Sequence, residues 1–91
     1  MILIDDAIYP PRGRRWCHMV SDRSLDELHA FAAQLGIPRR AFQDHPVRNH
    51  PHYDLPAEAR AVALACGAVA VSGRELVERM YRHGERVRVG S

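Results

Sequence analysis

Histidine and aspartate are concentrated in one short segment, RNHPHYD, at positions 48–54. His50, His52 and Asp54 follow each other at intervals of two residues. In an extended strand such residues project to one side, where they can hold a metal ion or pair a general base with an orienting acid. In a polyproline II helix, which the nearby prolines favour, the three side chains would point apart. The segment therefore predicts a site only if its backbone is a strand.

Two short apolar segments near the N-terminus predict a second group of titratable side chains. ILID ends in an acidic pair, Asp5 and Asp6, and WCHMVS carries His18. Only residues 6–15 separate the segments, which is short for a parallel crossover, so we expect an antiparallel pair. That pairing sets the acids beside His18, although consecutive strand residues face opposite ways and at most one acid would share its site. A parallel pair would instead bring the acids near Asp22.

Other side chains extend this candidate site. Arg14 and Arg15 belong to the cluster RGRR and are suited to phosphate, which a guanidinium binds through two hydrogen bonds. Trp16 can stack on a nucleobase. Asp22 follows the second strand. Because Ser24 is expected to cap the next helix, the Asp22 carboxylate is left available for a site. His29 flanks the apolar stripe of that helix, where a hydrogen-bonded boundary residue is the plainer interpretation.

The rest of the chain predicts three helices and further strands. Capping boxes of the form S-x-x-E mark the start of the first and third helices, and glycines mark the ends of all three. The fold class is therefore α/β: a small mixed sheet of three or four strands with three helices, in the order β-β-α-(turn)-α-β-α-β. The later elements are helices at about 25–35, from near 56 to Gly67 and 73–83, a helical turn at 38–43, and strands at 68–72 and 86–89.

Length and composition limit the classes of protein. Ninety-one residues with 46% hydrophobic and 26% charged residues indicate one domain over residues 1–91. There is no apolar run of about 20 residues and no basic, apolar leader, so we expect a cytoplasmic protein with no membrane partner. Cys17 and Cys66 form no C-x-x-C pair of a structural zinc site. A net charge of +2 does not indicate a strong generic DNA binder.

Several segments together resemble a small family of domains of unknown function found in bacteria and their phages. They are IDD, RWCHMVSD, ELHAFAAQLGI, FQ, HYDL and GAVAVSGREL, which extend from Ile2 to about Leu76. The resemblance implies a stand-alone domain of this size and carries no activity with it. His45 and His50 do not match the family pattern. The residues that do match it are Asp5, Asp6, His18, Asp22, Glu27 to His29, and His52 to Asp54.

Two functions agree with these residues. The first is a small phosphoester hydrolase that acts on a nucleotide, another phosphate-containing small molecule or a nucleic acid. His18, His52 and Asp54 would bind a divalent metal or act as acid and base. The predicted substrate-binding residues are Arg14, Arg15, Trp16 and Tyr53, and the further metal-ligand candidates are Asp5, Asp6, Asp22 and His29.

The same residues suggest which metal could bind, and they also allow a second, non-catalytic function. A carboxylate-rich site would suit Mg²⁺ or Mn²⁺, and a histidine-rich one would suit Zn²⁺. The second function is a non-catalytic module that binds a nucleotide, a nucleic acid or a protein, in which these residues form a structural polar network. A homodimer formed through a helical face or the RVRV edge would add stability to a chain of this length.

Overall fold

The sheet and helices are those of a computed structural model, which describes residues 1–6, 15–44 and 49–82. Within these ranges the chain forms one mixed sheet of five strands and three α-helices, so the predicted α/β class is confirmed. The strands are β1 (Ile2–Ile4), β2 (Trp16–Ser21), β3 (Phe42–Gln43), β4 (His52–Pro56) and β5 (Val69–Ala70); the helices are α1 (Leu25–Gln34), α2 (Ala57–Ala65) and α3 (Gly73–Arg79).

The strand order in the sheet is β3-β4-β2-β1-β5. β1 pairs antiparallel with β2, as the short connection predicts, and parallel with β5. β2 also pairs antiparallel with β4, which places His18 opposite Asp54. The three inner strands, β4, β2 and β1, are therefore flanked on both sides, and β4 brings the HYD segment directly beside His18.

The sheet is covered on both faces, which we call the α1/α2 face and the α3 face. On the α1/α2 face the buried side chains of the strands pack against α1 and α2. On the α3 face Leu3 and Val20 pack against Leu76 and Met80 of the α3 segment. Strand alternation assigns the strand side chains to the two faces, so a residue's position along its strand decides which helices it meets. The strand residues buried on the α1/α2 face are Ile2, Ile4, Cys17, Met19, Tyr53 and Leu55.

The predicted helix starts are confirmed by their caps. Ser24 and Ser72 each accept a backbone N–H from the residue three positions later, at 3.1 and 3.0 Å. Gly36 and Gly67 have positive φ angles of 78° and 114°, and they follow the ends of α1 and α2. The local signals therefore agree with the fold at both ends of α1, at the start of α3 and at the end of α2.

The third helix ends earlier than predicted. α3 stops at Arg79 rather than near 83, and Met80 is extended, with φ −65° and ψ 143°. The backbone N–H of Tyr81 donates to the carbonyl of Ser21 at 2.7 Å, and Met80 is buried against Leu3 and Val20. This hydrogen bond to β2 takes the place of the next one in the helix. No local signal in the sequence predicts it.

Two strands were missed by the sequence prediction. The helical turn is shorter than expected, at Arg39–Ala41, and Phe42 and Gln43 then pair with Tyr53 and His52. The sequence prediction contains no strand between the helical turn and the second helix, yet β4 forms there from His52 onward. Arg14, His45 and the predicted strand at 86–89 lie outside the described residues. No helix of the described part of the chain combines the length and apolar character needed to cross a membrane.

Candidate metal centre

Strand β4 resolves the conformation of the HYD segment. Because His52–Pro56 is extended, His52 and Asp54 project to one face of the sheet and Tyr53 projects to the other. His18 lies opposite Asp54 on β2 and shares its face. These three side chains, His18, His52 and Asp54, are hereafter the His18 group.

The polar atoms of the His18 group converge on one carboxylate oxygen. His52 Nε2 lies 3.3 Å and His18 Nε2 lies 3.7 Å from Oδ1 of Asp54. The two imidazole rings meet edge to face, with centroids 5.3 Å apart. One ligand atom from each of the three residues lies within 4.8 Å of the others, so the group can hold a metal ion.

The His18 group is reachable from solvent without being fully exposed. The exposed fractions of the side chains are 31% for His18, 22% for His52 and 36% for Asp54. A site of this kind combines access for a ligand with partial exclusion of water, which strengthens electrostatic interactions inside it.

The buried Asp5 carboxylate contacts His18 from the interior of the protein. Its side chain is only 2% exposed, and its two oxygens both contact His18: Oδ1 accepts the backbone N–H at 2.7 Å, and Oδ2 lies 2.8 Å from Nδ1. The Asp5 backbone N–H donates to the His18 carbonyl at 3.2 Å, which extends the β1–β2 ladder by one residue. Asp5, predicted as a metal ligand, therefore contacts the candidate ligand His18 on the side of its ring opposite Nε2.

His50 acts through its backbone. Its carbonyl oxygen is in hydrogen-bond contact with Nδ1 of His52. Asn49 precedes it in the left-handed region, with φ 54°, a conformation that asparagine tolerates better than most residues, and Pro51 is buried. This turn directs the His50 carbonyl at His52, a contribution that the side-chain pattern of the sequence did not suggest.

Arg60 is a second contributor that sequence reasoning missed. Its Nε donates to the Asp5 carbonyl at 2.7 Å, and its Nη2 lies 3.3 Å from Oδ1 of Asp6. It thereby ties α2 to the end of β1. Asp6, a predicted metal ligand, has a 70% exposed side chain and pairs with Arg60. No motif links residues 55 positions apart in the sequence, so only the fold reveals this contact.

His29 and Tyr53 meet on the α1/α2 face. Nδ1 of His29 lies 2.8 Å from the hydroxyl of Tyr53, and its ring packs against Phe42 at 4.6 Å. Tyr53 is buried in the core. The sheet separates both residues from the His18 group, so the structure does not bring the predicted metal ligand His29 or the predicted substrate-binding Tyr53 to it.

Asp22 belongs to another ion cluster. Its carboxylate lies 3.3 Å from Nη2 of Arg79 and 3.0 Å from the amino group of Met1. It stands four positions after His18, just past the end of β2, a separation of about 13 Å in an extended chain. The structure therefore places this predicted metal ligand apart from the His18 group.

The substrate-binding candidates that remain lie at the start of β2. Trp16 is half-buried and shares the α3 face with His18, because the two residues are two positions apart on the strand. Arg15 is exposed, and its carbonyl accepts the backbone N–H of Ala57 at 3.0 Å. Trp16 thus puts an indole on the face of the His18 group, and Arg15 puts an exposed guanidinium just before the strand.

A family comparison covers both the sheet and the His18 group. The family described as "Protein of unknown function (DUF4031)" matches residues 2–83. The chain is a member of the DUF4031 family. Comparisons with curated proteins and with solved structures give no significant match. The DUF4031 match spans β1 to α3 and includes every residue of the His18 group, Asp5 and Arg60, and its description carries no activity.

In this DUF4031 protein one histidine on each face of the sheet has a shifted pKa, and the two shifts have opposite directions. Burial by itself lowers the pKa of His52, but the hydrogen bonds to Asp54 and to the His50 carbonyl outweigh it and raise the pKa above 6.5. Burial, with a contribution from Arg39, lowers the pKa of His29 below 6.5. As the pH falls, metal-free protein should therefore protonate His52 before His29.

Nuclear magnetic resonance of the ring protons measures this order directly. Each imidazole is assigned by substitution and followed between about pH 8 and pH 5, a range that brackets the ordinary histidine pKa. An order in which His29 titrates at higher pH than His52 would contradict the hydrogen bonds assigned to His52.

Proposed function

We propose that the protein is a metal-dependent hydrolase of phosphoester bonds, with a nucleotide or a nucleic acid as its substrate. The observation that carries the proposal is the convergence of His18, His52 and Asp54 from two paired strands onto one partly exposed point. Three protein ligands are typical of catalytic metal sites, where the remaining coordination positions take water and substrate. A closed structural site would use four.

The chemistry of such a site is a hydrolytic displacement at phosphorus. The His18 group would hold a divalent metal, which would lower the pKa of a bound water and polarise a phosphoryl oxygen. In the overall reaction the water oxygen would form the new bond to phosphorus, the ester P–O bond would break, and the alcohol would leave with a proton. The residues of the His18 group hold the reacting centre, and their partial burial limits competition from bulk water.

Arg15 and Trp16 support phosphoesters as the substrate class. A guanidinium recognises phosphate through paired hydrogen bonds, and an indole can stack on a nucleobase. Trp16 stands two residues from His18 on one strand face, at about 7 Å along the strand, which is within the span of one nucleotide. Arg14 is proposed to contribute alongside Arg15.

The second candidate function is a non-catalytic binding module. The observation that favours it is the buried Asp5 carboxylate, because both of its oxygens are satisfied by His18. A polar network of this kind also rigidifies a fold without any reaction. In that case the His18 group would position a bound nucleotide, nucleic acid or protein without turning it over.

A metal-supplemented activity screen tests the hydrolase. The purified protein is assayed with Mg²⁺, Mn²⁺ and Zn²⁺ on a generic phosphodiester and a generic phosphomonoester. We expect turnover with at least one metal, and a loss of at least about 100-fold in His52→Ala and in Asp54→Asn, because each removes a group at the reacting centre. Asp26→Asn, an exposed carboxylate on α1, is the matched control and should retain activity.

The outcomes separate the two functions. Turnover that survives His52→Ala contradicts the proposed site. The absence of turnover with every metal and both substrates, together with saturable binding of a nucleotide, overturns the hydrolase and supports the binding module.

A further inference from the structure

The ring of His18 is held in one orientation by an acceptor. Its Nδ1 faces Oδ2 of Asp5 at 2.8 Å, inside the protein. An aspartate carboxylate is an acceptor, and the other Asp5 oxygen already accepts the backbone N–H of His18. His18 therefore carries its proton on Nδ1 when it is neutral, which puts the lone pair on Nε2, the nitrogen that faces Asp54.

The ring of His52 is held in the same way by a different group. Its Nδ1 contacts the backbone carbonyl of His50, which has no proton to donate in any state. With Nδ1 bound to that carbonyl, the nitrogen left for a cation is Nε2, 3.3 Å from Oδ1 of Asp54. Two imidazole nitrogens and one carboxylate thus converge, and a cation can replace the proton between them.

We propose that the His18 group binds one divalent transition-metal ion of the zinc type through Nε2 of His18, Nε2 of His52 and the carboxylate of Asp54. Asp5 and the His50 carbonyl are the outer partners that fix the two imidazole tautomers. Outer partners of this kind orient metal-bound histidines and raise their basicity. The proposal deepens the proposed function, on whose site it rests, by naming the class of metal.

The donor set and its spacing select that class. Imidazole suits zinc, copper, iron and nickel, whereas Mg²⁺ and Ca²⁺ take oxygen ligands. Tetrahedral bonds of 2.0–2.1 Å set neighbouring ligand atoms about 3.3 Å apart. The distances from Asp54 to His52 and His18, 3.3 and 3.7 Å, are close to that edge, and all three ligand atoms lie within 4.8 Å of one another. The site therefore favours Zn²⁺ over Mg²⁺ and Mn²⁺, which the composition of the sequence left open.

Cobalt binding tests the proposal without any assay of hydrolysis. Chelator-stripped protein is titrated with Co²⁺, whose visible absorption reports low coordination number. We expect one ion per chain, displaced by Zn²⁺ at equal concentration and retained in a large excess of Mg²⁺. Asp54→Asn is the decisive variant, because its side chain is partly exposed and its loss leaves the Asp5–His18 contact in place. We expect at least a tenfold loss of affinity, whereas Asp26→Asn should bind as the wild type does.

Each outcome bears on one proposal. Absence of Co²⁺ and Zn²⁺ binding, binding that survives Asp54→Asn, or displacement of Co²⁺ by Mg²⁺ overturns the metal site. Binding at one ion per chain, lost in a folded Asp54→Asn variant, supports it. Binding with no hydrolysis supports the metal site and removes the proposed hydrolase, so the two failures are distinguishable. Circular dichroism of each variant establishes that the chain is folded.

Discussion

Asp5→Asn is expected to lower the affinity of the His18 group for Zn²⁺ by about 10- to 100-fold. The asparagine oxygen can still accept the backbone N–H of His18, but its amide nitrogen then faces Nδ1 as a donor. To accept from that amide, Nδ1 of His18 must carry a lone pair, so the ring proton moves to Nε2. The atom proposed to bind the metal is thereby blocked, although the side chain at position 5 has nearly the same size.

Two measurements check this result. Competition with a chromophoric chelator gives the affinity, and the ¹⁵N shifts of the His18 ring report which nitrogen carries the proton. A purely structural role for Asp5 would change stability without moving the proton from Nδ1 to Nε2. In a His18→Ala background the Asp5→Asn substitution should change affinity little, because the two residues act through one contact. Unchanged Zn²⁺ affinity in the folded single variant would contradict the role given to Asp5.

Leu3→Ala is expected to destabilise the fold by about 2–5 kcal/mol. Leu3 is fully buried on the α3 face, where it packs with Val20, Leu76 and Met80. The α3 segment covers this face through a small cluster, so a cavity there has few neighbours that can move to fill it. For a chain of this size the midpoint of thermal unfolding should fall by more than about 8 °C.

Chemical unfolding of metal-free protein measures the Leu3→Ala effect without a contribution from ion binding. Val77→Ala is the matched control, because Val77 lies on α3 but is 44% exposed. Its cost should stay within about 0.5 kcal/mol. Equal losses in the two variants would show that Leu3 does not anchor α3.

The parts of the fold predicted from sequence are those with local causes. Ser24 and Ser72 cap their helices by bonds to residues three positions away, and Gly36 and Gly67 adopt the left-handed conformations that the C-terminal ends of helices favour. The extent of α3 was not predicted, because it ends where Tyr81 bonds to β2. Contacts of this kind depend on the assembled sheet.

Strand β4 illustrates the same limit at the candidate site. The prolines around His52 made an extended loop as reasonable as a strand, and only pairing with β2 and β3 settles the backbone. Once the strand is known, alternation separates His52 and Asp54 from Tyr53. The side-chain types had placed Tyr53 with the site, and they do not encode the face on which a residue lies.

The candidate residues themselves were largely recognisable by type. His18, His52 and Asp54 were predicted as catalytic, and the structure brings them together. His29 has the same chemistry but packs against Tyr53 and Phe42 on the α1/α2 face, since its position follows from the packing of α1. Arg60 carries no signal in the sequence, because its partner at Asp5 is reached only through the tertiary fold.

The pairing of β2 with β4 would also link the proposed metal site to the lifetime of the protein. His18 and Asp54 come from distant parts of the chain and meet only when these strands are paired. An ion bound there would therefore hold the folded chain and leave the unfolded chain unbound. At a free concentration one hundred times its dissociation constant, such an ion adds about 2.7 kcal/mol to the free energy of unfolding. Susceptibility to proteases would then follow the supply of metal, and starvation for that ion would shorten the protein's lifetime.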